Sequence, residues 1–213
     1  MKLKLVALST LAVASAVALA GGPVAPMHQP TTGVYVQGHL GYDQTGWQSM
    51  TTNTLQGITF NYTKNANGGF VFGGDVGYEF SKYFAAEFGG FKFATTKVTV
   101  TPPTSAAQTG NLKEYALYGA LVMAVPVFTP NVFAFGKFGV GYQNVSVDNT
   151  SPFLKSNNHV GPVFAAGLGY SFNMGLALTA QWMRFSGKTD LKGGKFAPNP
   201  NVWTGSIGYF FAT

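Results

Sequence analysis

The stretch GGFVFGGDVGYEF, residues 68–80, followed by Ser81-Lys82 and YFAAEFGGFKF, residues 83–93, reads as a β-hairpin with a very short connection. At period two, Phe70, Phe72, Val76, Tyr78 and Phe80 share one face, and Val71, Gly73, Asp75, Gly77 and Glu79 share the other. Beyond the turn, Phe84, Ala86 and Phe88 oppose Ala85, Glu87 and Gly89. In a soluble sheet the aromatic face would be the inside. Here the opposite face carries Asp75, Glu79 and Glu87 among glycines, which suits the interior of a small barrel, whereas hydrocarbon accepts only the aromatic face. The hairpin therefore predicts a sheet turned inside out, apolar outward and polar inward. A bulge at Gly89-Gly90 would flip Phe91 to Phe93, so the phase of Lys92 stays open.

Composition agrees with this reading. The chain has 213 residues, enough for one barrel or sandwich, with only 9% charged residues, far below the quarter or so of a soluble domain. Its 28 glycines and 15% aromatics fit strongly curved strands ending in aromatic girdles. Met1 to Ala20 has the form of a secretory signal: Lys2 and Lys4, an apolar run from Leu5, and a small-residue end at Ala18-Leu19-Ala20. The run is too short for a transmembrane helix, which needs about 20 apolar residues. A membrane-embedded chain of this kind must then be a closed barrel, since lipid satisfies no open sheet edge. Cysteine is absent, which excludes disulfides, thiol chemistry and a lipid-anchor cysteine. Removing the signal takes two of the 13 basic side chains and leaves a net charge of +4 against 7 acidic ones, a modest balance with no basic stripe for nucleic acid.

Residues 21–32, with Pro23, Pro26 and Pro30, read as a flexible periplasmic leader, and the barrel is expected over 33–213. Strands are expected at Gly33–Tyr42, Gly68–Phe80, Phe84–Phe93, Lys113–Val125, Val132–Gln143, His159–Phe172, Leu176–Phe185 and Val202–Phe211. Residues 43–67 form a long polar connection whose inner part can extend its flanking strands, and 94–112 a second long loop in which Pro102-Pro103 bar a central strand. The fourth expected strand sends Tyr115, Leu117, Leu121 and Met123 outward, and the sixth Val160, Phe164, Leu168 and Tyr170 against an inner face of small residues from Gly161 to Ser171. The seven connections alternate long and short. That pattern is characteristic of outer-membrane barrels, whose long loops face outside and whose short turns face the periplasm. The fold class is thus an all-β, eight-stranded, antiparallel, up-and-down transmembrane barrel. The rival reading, a secreted lipocalin-like barrel, would put charges outward and large apolar residues inward. Only Lys92 and Arg184 break the outward rule, both near the loop ends of their strands, where a long side chain can snorkel.

Several segments resemble the transmembrane domain of the OmpA family. GVYVQGHLGY (33–42) resembles its first strand, GYEFSKYFAAEFGGF (77–91) its second hairpin, FAFGKFGV (133–140) its fifth strand and VGPVFAAGLGY (160–170), the most specific, its sixth. More broadly the chain looks like the small outer-membrane β-barrels of the OmpA and OmpX type. The resemblance implies a lumen network of charged side chains, with His39 at a basic position, Glu87 at a glutamate and Lys137 at an arginine. Gly169 and Thr179 stand where the family has charges, so its pairing scheme does not carry over whole. The chain ends two residues after the last strand, and the family's periplasmic peptidoglycan-binding domain is not matched.

Read for themselves, His39, Asp75, Glu87 and Lys137 each lie five or six residues from the short-turn end of a strand, about 13–16 Å up and in one layer. A lone charge there costs several kcal/mol, so the expectation is an ion pair of Lys137 with Glu87 or Asp75 and His39 bonded beside it. Such a network either fills and glues the barrel or gates a narrow passive pore. An enzyme, such as a lipid A-modifying barrel, needs a histidine with a serine or carboxylate at a groove. Among His28, His39 and His159, only His159 has a passable neighbour, Ser156, so no catalysis is expected. Neither a metal site nor any other cofactor site is suggested. Lys188, Lys192 and Lys195, with Arg184 below, form a basic outer loop that is either simply solvated or meets lipopolysaccharide phosphates. Trp203, Ile207, Tyr209 and Phe211 alternate along the last strand; they resemble the C-terminal signal read by barrel-assembly machinery, and a plain aromatic girdle has the same residues. The expected role is structural or surface-interacting, in a monomer of a Gram-negative outer membrane, handled en route by periplasmic chaperones. What the loops bind, a host-surface ligand included, is not legible in Thr, Asn, Lys and Gly.

Overall fold

The computed structural model describes residues 32–44, 52–55, 58–64, 68–101, 106–148, 156–172, 175–187 and 199–212. The signal segment, all of the leader but Thr32, and Lys188, Lys192 and Lys195 lie outside them. Eleven strands follow in order: β1 (Gly33–Gln44), β2 (Thr52–Leu55), β3 (Ile58–Lys64), β4 (Gly68–Ser81), β5 (Phe84–Lys92), β6 (Thr96–Thr101), β7 (Gln108–Val127), β8 (Thr129–Asp148), β9 (Asn157–Ser171), β10 (Leu176–Phe185) and β11 (Asn201–Ala212). Eight of them, β1, β4, β5, β7, β8, β9, β10 and β11, close into an antiparallel up-and-down barrel, with β11 pairing back on β1 from Gly33↔Ala212 to Gln44↔Asn201.

Closure can be checked from register alone. From His39 the paired positions lead through Gly73, Phe91 and Ala116 to Gln143 on β8; in the other direction they lead through Ser206, Thr179 and Gly169 to Phe133, ten residues lower on the same strand. Eight strands with that stagger tilt by roughly 40° to the barrel axis.

The three remaining strands raise one wall beyond the long-loop rim in the order β2-β3-β6-β7. Residues 96–101 were expected to be loop and instead pair with β7 from Thr96↔Leu112 to Val100↔Gln108. The reason is local: in TKVTVT the β-branched residues dominate, and the strand ends at Thr101, just before the prolines. β7 and β8 are correspondingly longer than expected, 20 residues each.

The faces are inside out. Phe88, Leu121, Phe138 and Val160 expose 59–62% of their surface on the outer side, while Val71, Val163, Met183 and Val202 are fully enclosed. Register runs unbroken through Gly74↔Gly90 and Asp75↔Gly89; the irregularity falls at Glu79/Ser81 instead. Phe91 and Phe93 therefore point inward and Lys92 outward. The small inner residues of β9 have a packing purpose: a Cβ on Gly167 would run into the ring of Phe135, and one on Gly169 into the ring of Phe133, both reaching across from β8. Gly167→Val should cost about 1–3 kcal/mol, seen as a lower urea midpoint with an unchanged slope in lipid-supported unfolding. An unchanged midpoint would mean that the Phe135 ring does not rest on the β9 backbone.

Candidate functional site: the barrel lumen

Alternation places one inward side chain at every second residue, and the stagger brings five strands to a common level. His39 from β1, Asp75 from β4, Glu87 from β5, Tyr118 from β7 and Lys137 from β8 all meet there, buried. Lys137 Nζ lies 2.6 Å from Glu87 Oε1 and 3.7 Å from Asp75 Oδ2. His39 Nε2 lies 2.6 Å from Asp75 Oδ2, and its Nδ1 2.5 Å from Ser206 Oγ. The hydroxyl of Tyr118 bridges the two carboxylates, 2.8 Å from Glu87 Oε1 and 3.0 Å from Asp75 Oδ2, while Tyr35 donates to Glu87 Oε2 at 2.8 Å. Gln181 Nε2 stands 3.4 Å from His39 Nδ1. Each carboxylate thus faces a cation and at least one hydroxyl or ring donor, which is what makes burial of two negative charges tolerable.

The structure brings together the four residues singled out as a lumen layer. Tyr118 and Ser206 were not singled out, although the phase of Leu117 and Ile207 puts each on the inner face. Arg184 is exposed on the outer wall, and Trp203, Ile207, Tyr209 and Phe211 form one outward row on β11.

Above this layer the lumen departs from the expected polarity. Phe91, Phe93, Tyr118, Met183 and Phe185 pack into an apolar plug, with Phe185 edge-on to Phe91, Phe93 and Tyr118 at centroid separations of 6.1–6.2 Å. Two carboxylates missed at the sequence level sit buried toward the long-loop end. Asp43 Oδ1 accepts from the Gly69 amide at 3.0 Å, and among the described residues neither oxygen of Glu114 has a hydrogen-bond partner. Below the layer a cavity of about 200 Å³ opens at the short-turn end beside Lys82 and Asn131 and reaches up to Glu87 and Lys137. Among the described residues the lumen is therefore open at the short-turn end and filled above the layer by the plug. Among the described residues no group of three or more His, Asp and Glu side chains is arranged to hold a metal ion.

Residues 6–211 match the model of the family described as outer membrane protein beta-barrel domain. The chain belongs to this family. No curated protein matches it. Among solved structures it is similar to the outer membrane protein OprG of Pseudomonas aeruginosa, at 14% identity and a TM-score of 0.57, covering 86% of this chain and 98% of that one. It is also similar to Neisserial surface protein A, at 11% identity and a TM-score of 0.56, covering 84% of this chain and 97% of that one. A third likeness is to the outer membrane protein AlkL, at 15% identity and a TM-score of 0.50, covering 92% and 98%. At such identities the likeness shows the fold alone, that of a small outer-membrane β-barrel.

The network makes a measurable demand. Lys137→Met leaves Glu87 and Asp75 without their ammonium partner and should cost about 3–5 kcal/mol. Adding Glu87→Gln removes one of the stranded charges and should restore part of that, so the two substitutions should be far from additive in urea unfolding from lipid vesicles. Additive losses would show that Lys137 and Glu87 are not energetically coupled.

Proposed function

We propose that this barrel is a closed outer-membrane scaffold with a structural or surface-interaction role and no catalysis. The supporting observation is the stacking of two seals in one lumen: the ion-paired layer of His39, Asp75, Glu87 and Lys137, and the Phe91-Phe93-Phe185 plug above it. A hydrated ion crossing it would have to part both. Enclosure also argues against chemistry at His39, which exposes 1% of its surface. In this reading residues 1–20 are cleaved on export to the periplasm of a Gram-negative cell, and 21–32 remain there as a leader. The outward row Trp203, Ile207, Tyr209 and Phe211 would be read by the barrel-assembly machinery after chaperone delivery. Arg184, with Lys188, Lys192 and Lys195 outside the described residues, would face lipopolysaccharide. The loops would present a surface to other cells or to a host ligand.

A second reading, a narrow passive pore, is favoured by the cavity of about 200 Å³ that opens at the short-turn end. Planar-bilayer recordings separate the two. The scaffold reading expects no unitary conductance from the natural protein or from Lys137→Met, and channel openings only when Phe91 and Phe185 are both replaced by Ala. A large conductance in Lys137→Met alone would make the charged layer a gate and the pore reading correct. Deletion of the gene, scored for envelope leakiness and for attachment, tests the biological role.

A further inference from the structure

Among the described residues four carboxylates are buried in the lumen, and only the lower two meet a cation. Asp75 and Glu87 share Lys137, His39 and the hydroxyls of Tyr35 and Tyr118. Asp43 and Glu114 have no such company. Asp43 stands four residues above His39 on β1, and Glu114 four residues above Tyr118 on β7. At a rise of 3.3 Å per residue and a tilt near 40°, each lies about 10 Å higher than its neighbour in the charged layer. That height is the upper side of the aromatic plug, where the Phe93 amide donates to the Glu114 carbonyl at 3.1 Å.

Both acids point into the barrel. Asp43 is fully enclosed, and Glu114 exposes only 4% of its surface. One oxygen of Asp43 accepts from the Gly69 amide, which fixes the carboxylate; the other, and both oxygens of Glu114, have no hydrogen-bond partner among the described residues. The two groups are near enough to feel each other's charge, like against like. The described cations of this half, Lys92, Lys97, Lys113 and Arg184, stand on the outer face. His159, half-buried on the inner side of β9, makes no ion pair with either acid among the described residues. Three orphaned acceptor atoms on two ionisable groups, enclosed and turned toward a common space, are costly for a chain to hold unaided.

We propose that Asp43 and Glu114 bind a calcium ion on top of the aromatic plug, Glu114 through both carboxylate oxygens and Asp43 through Oδ2, with water in the remaining positions. The ion does for the upper pair what Lys137 and His39 do for the lower. A pair of carboxylates balances its charge in full, so no third acidic ligand is required. Carboxylate oxygens suit a hard cation, and calcium accepts irregular sets of six to eight oxygens that include a bidentate glutamate. Magnesium demands a near-ideal octahedron, which a bidentate carboxylate distorts. The site is independent of whether the lumen conducts and of what the loops contact.

The test is equilibrium dialysis of the whole barrel against calcium, in a neutral detergent free of lipopolysaccharide, paired with urea unfolding. One calcium per barrel is expected, with a Kd on the order of 0.1–1 mM, the range of extracellular calcium modules. Calcium at ten times Kd should raise the folding equilibrium constant about elevenfold. The variant Asp43→Asn/Glu114→Gln should bind none and unfold at the same urea concentration in calcium and in chelator. In chelator it should be at least as stable as the natural protein, because two unpaired buried charges have gone; this separates loss of the site from loss of the fold. Glu79→Gln, which removes an acid at the other end of the lumen, should leave calcium binding intact. A natural protein that binds no calcium at ten times that range, or a double variant that binds it equally well, overturns the proposal. Magnesium competing as well as calcium overturns the assignment to calcium.

Discussion

Hydrocarbon offers no hydrogen bonds to a peptide group, and every other feature of this chain follows from that. A sheet in such a medium has to close on itself, and eight strands closed with a stagger of ten residues set the tilt; the stagger is visible where the register from His39 returns to β8 at Gln143 and Phe133. Closure in turn leaves a lumen barely wider than the side chains that enter it. What fills that space is then a packing problem under severe constraint, and β9 shows the solution most plainly. Its inner glycines let Phe133 and Phe135 lie flat across the barrel.

The lumen resolves into three tiers with different physics. Near the short turns it is open and holds about 200 Å³ of space. At mid-height the ammonium of Lys137 and Nε2 of His39 hold two carboxylates that would otherwise be prohibitively expensive to bury, with Tyr35 and Tyr118 donating to Glu87 and Ser206 meeting the other ring nitrogen of His39. Above that, the aromatic plug removes water from the upper side of the charged layer. Low polarity on that side strengthens the ion pairs, and the ion pairs in turn anchor Tyr118, whose ring is part of the plug. The two seals are therefore mechanically one unit.

Much of this was legible in the residues. Period-two alternation in 68–93 and the long-short rhythm of the connections give eight strands, their order and which face meets lipid, because both signals come from the barrel's geometry and not from any particular partner. The layer of His39, Asp75, Glu87 and Lys137 was legible for the same reason: charges are so rare here that each one on an inner face stands out. The plug was harder to see. Phe91, Phe93 and Phe185 look like lipid-facing aromatics in composition, and only a phase carried unbroken through Gly89-Gly90 turns the first two inward. β6 was hidden by the prolines that follow it, which end a strand at Thr101 without preventing one. Asp43 and Glu114 were passed over because they sit beyond or at the margins of the expected strands, where alternation has too few turns to establish a phase.

The central claim is the polarity of the wall, bulky apolar side chains against hydrocarbon and ionisable ones enclosed. Because the chain has no cysteine, single cysteines can be placed at each position from 70 to 79, spin-labelled, and read in bilayers by collision with oxygen, which concentrates in lipid. The account predicts an oscillation of period two, high at 70, 72, 76 and 78 and low at 71, 73, 75 and 77. The opposite phase, or a uniform low signal along the whole strand, would contradict it.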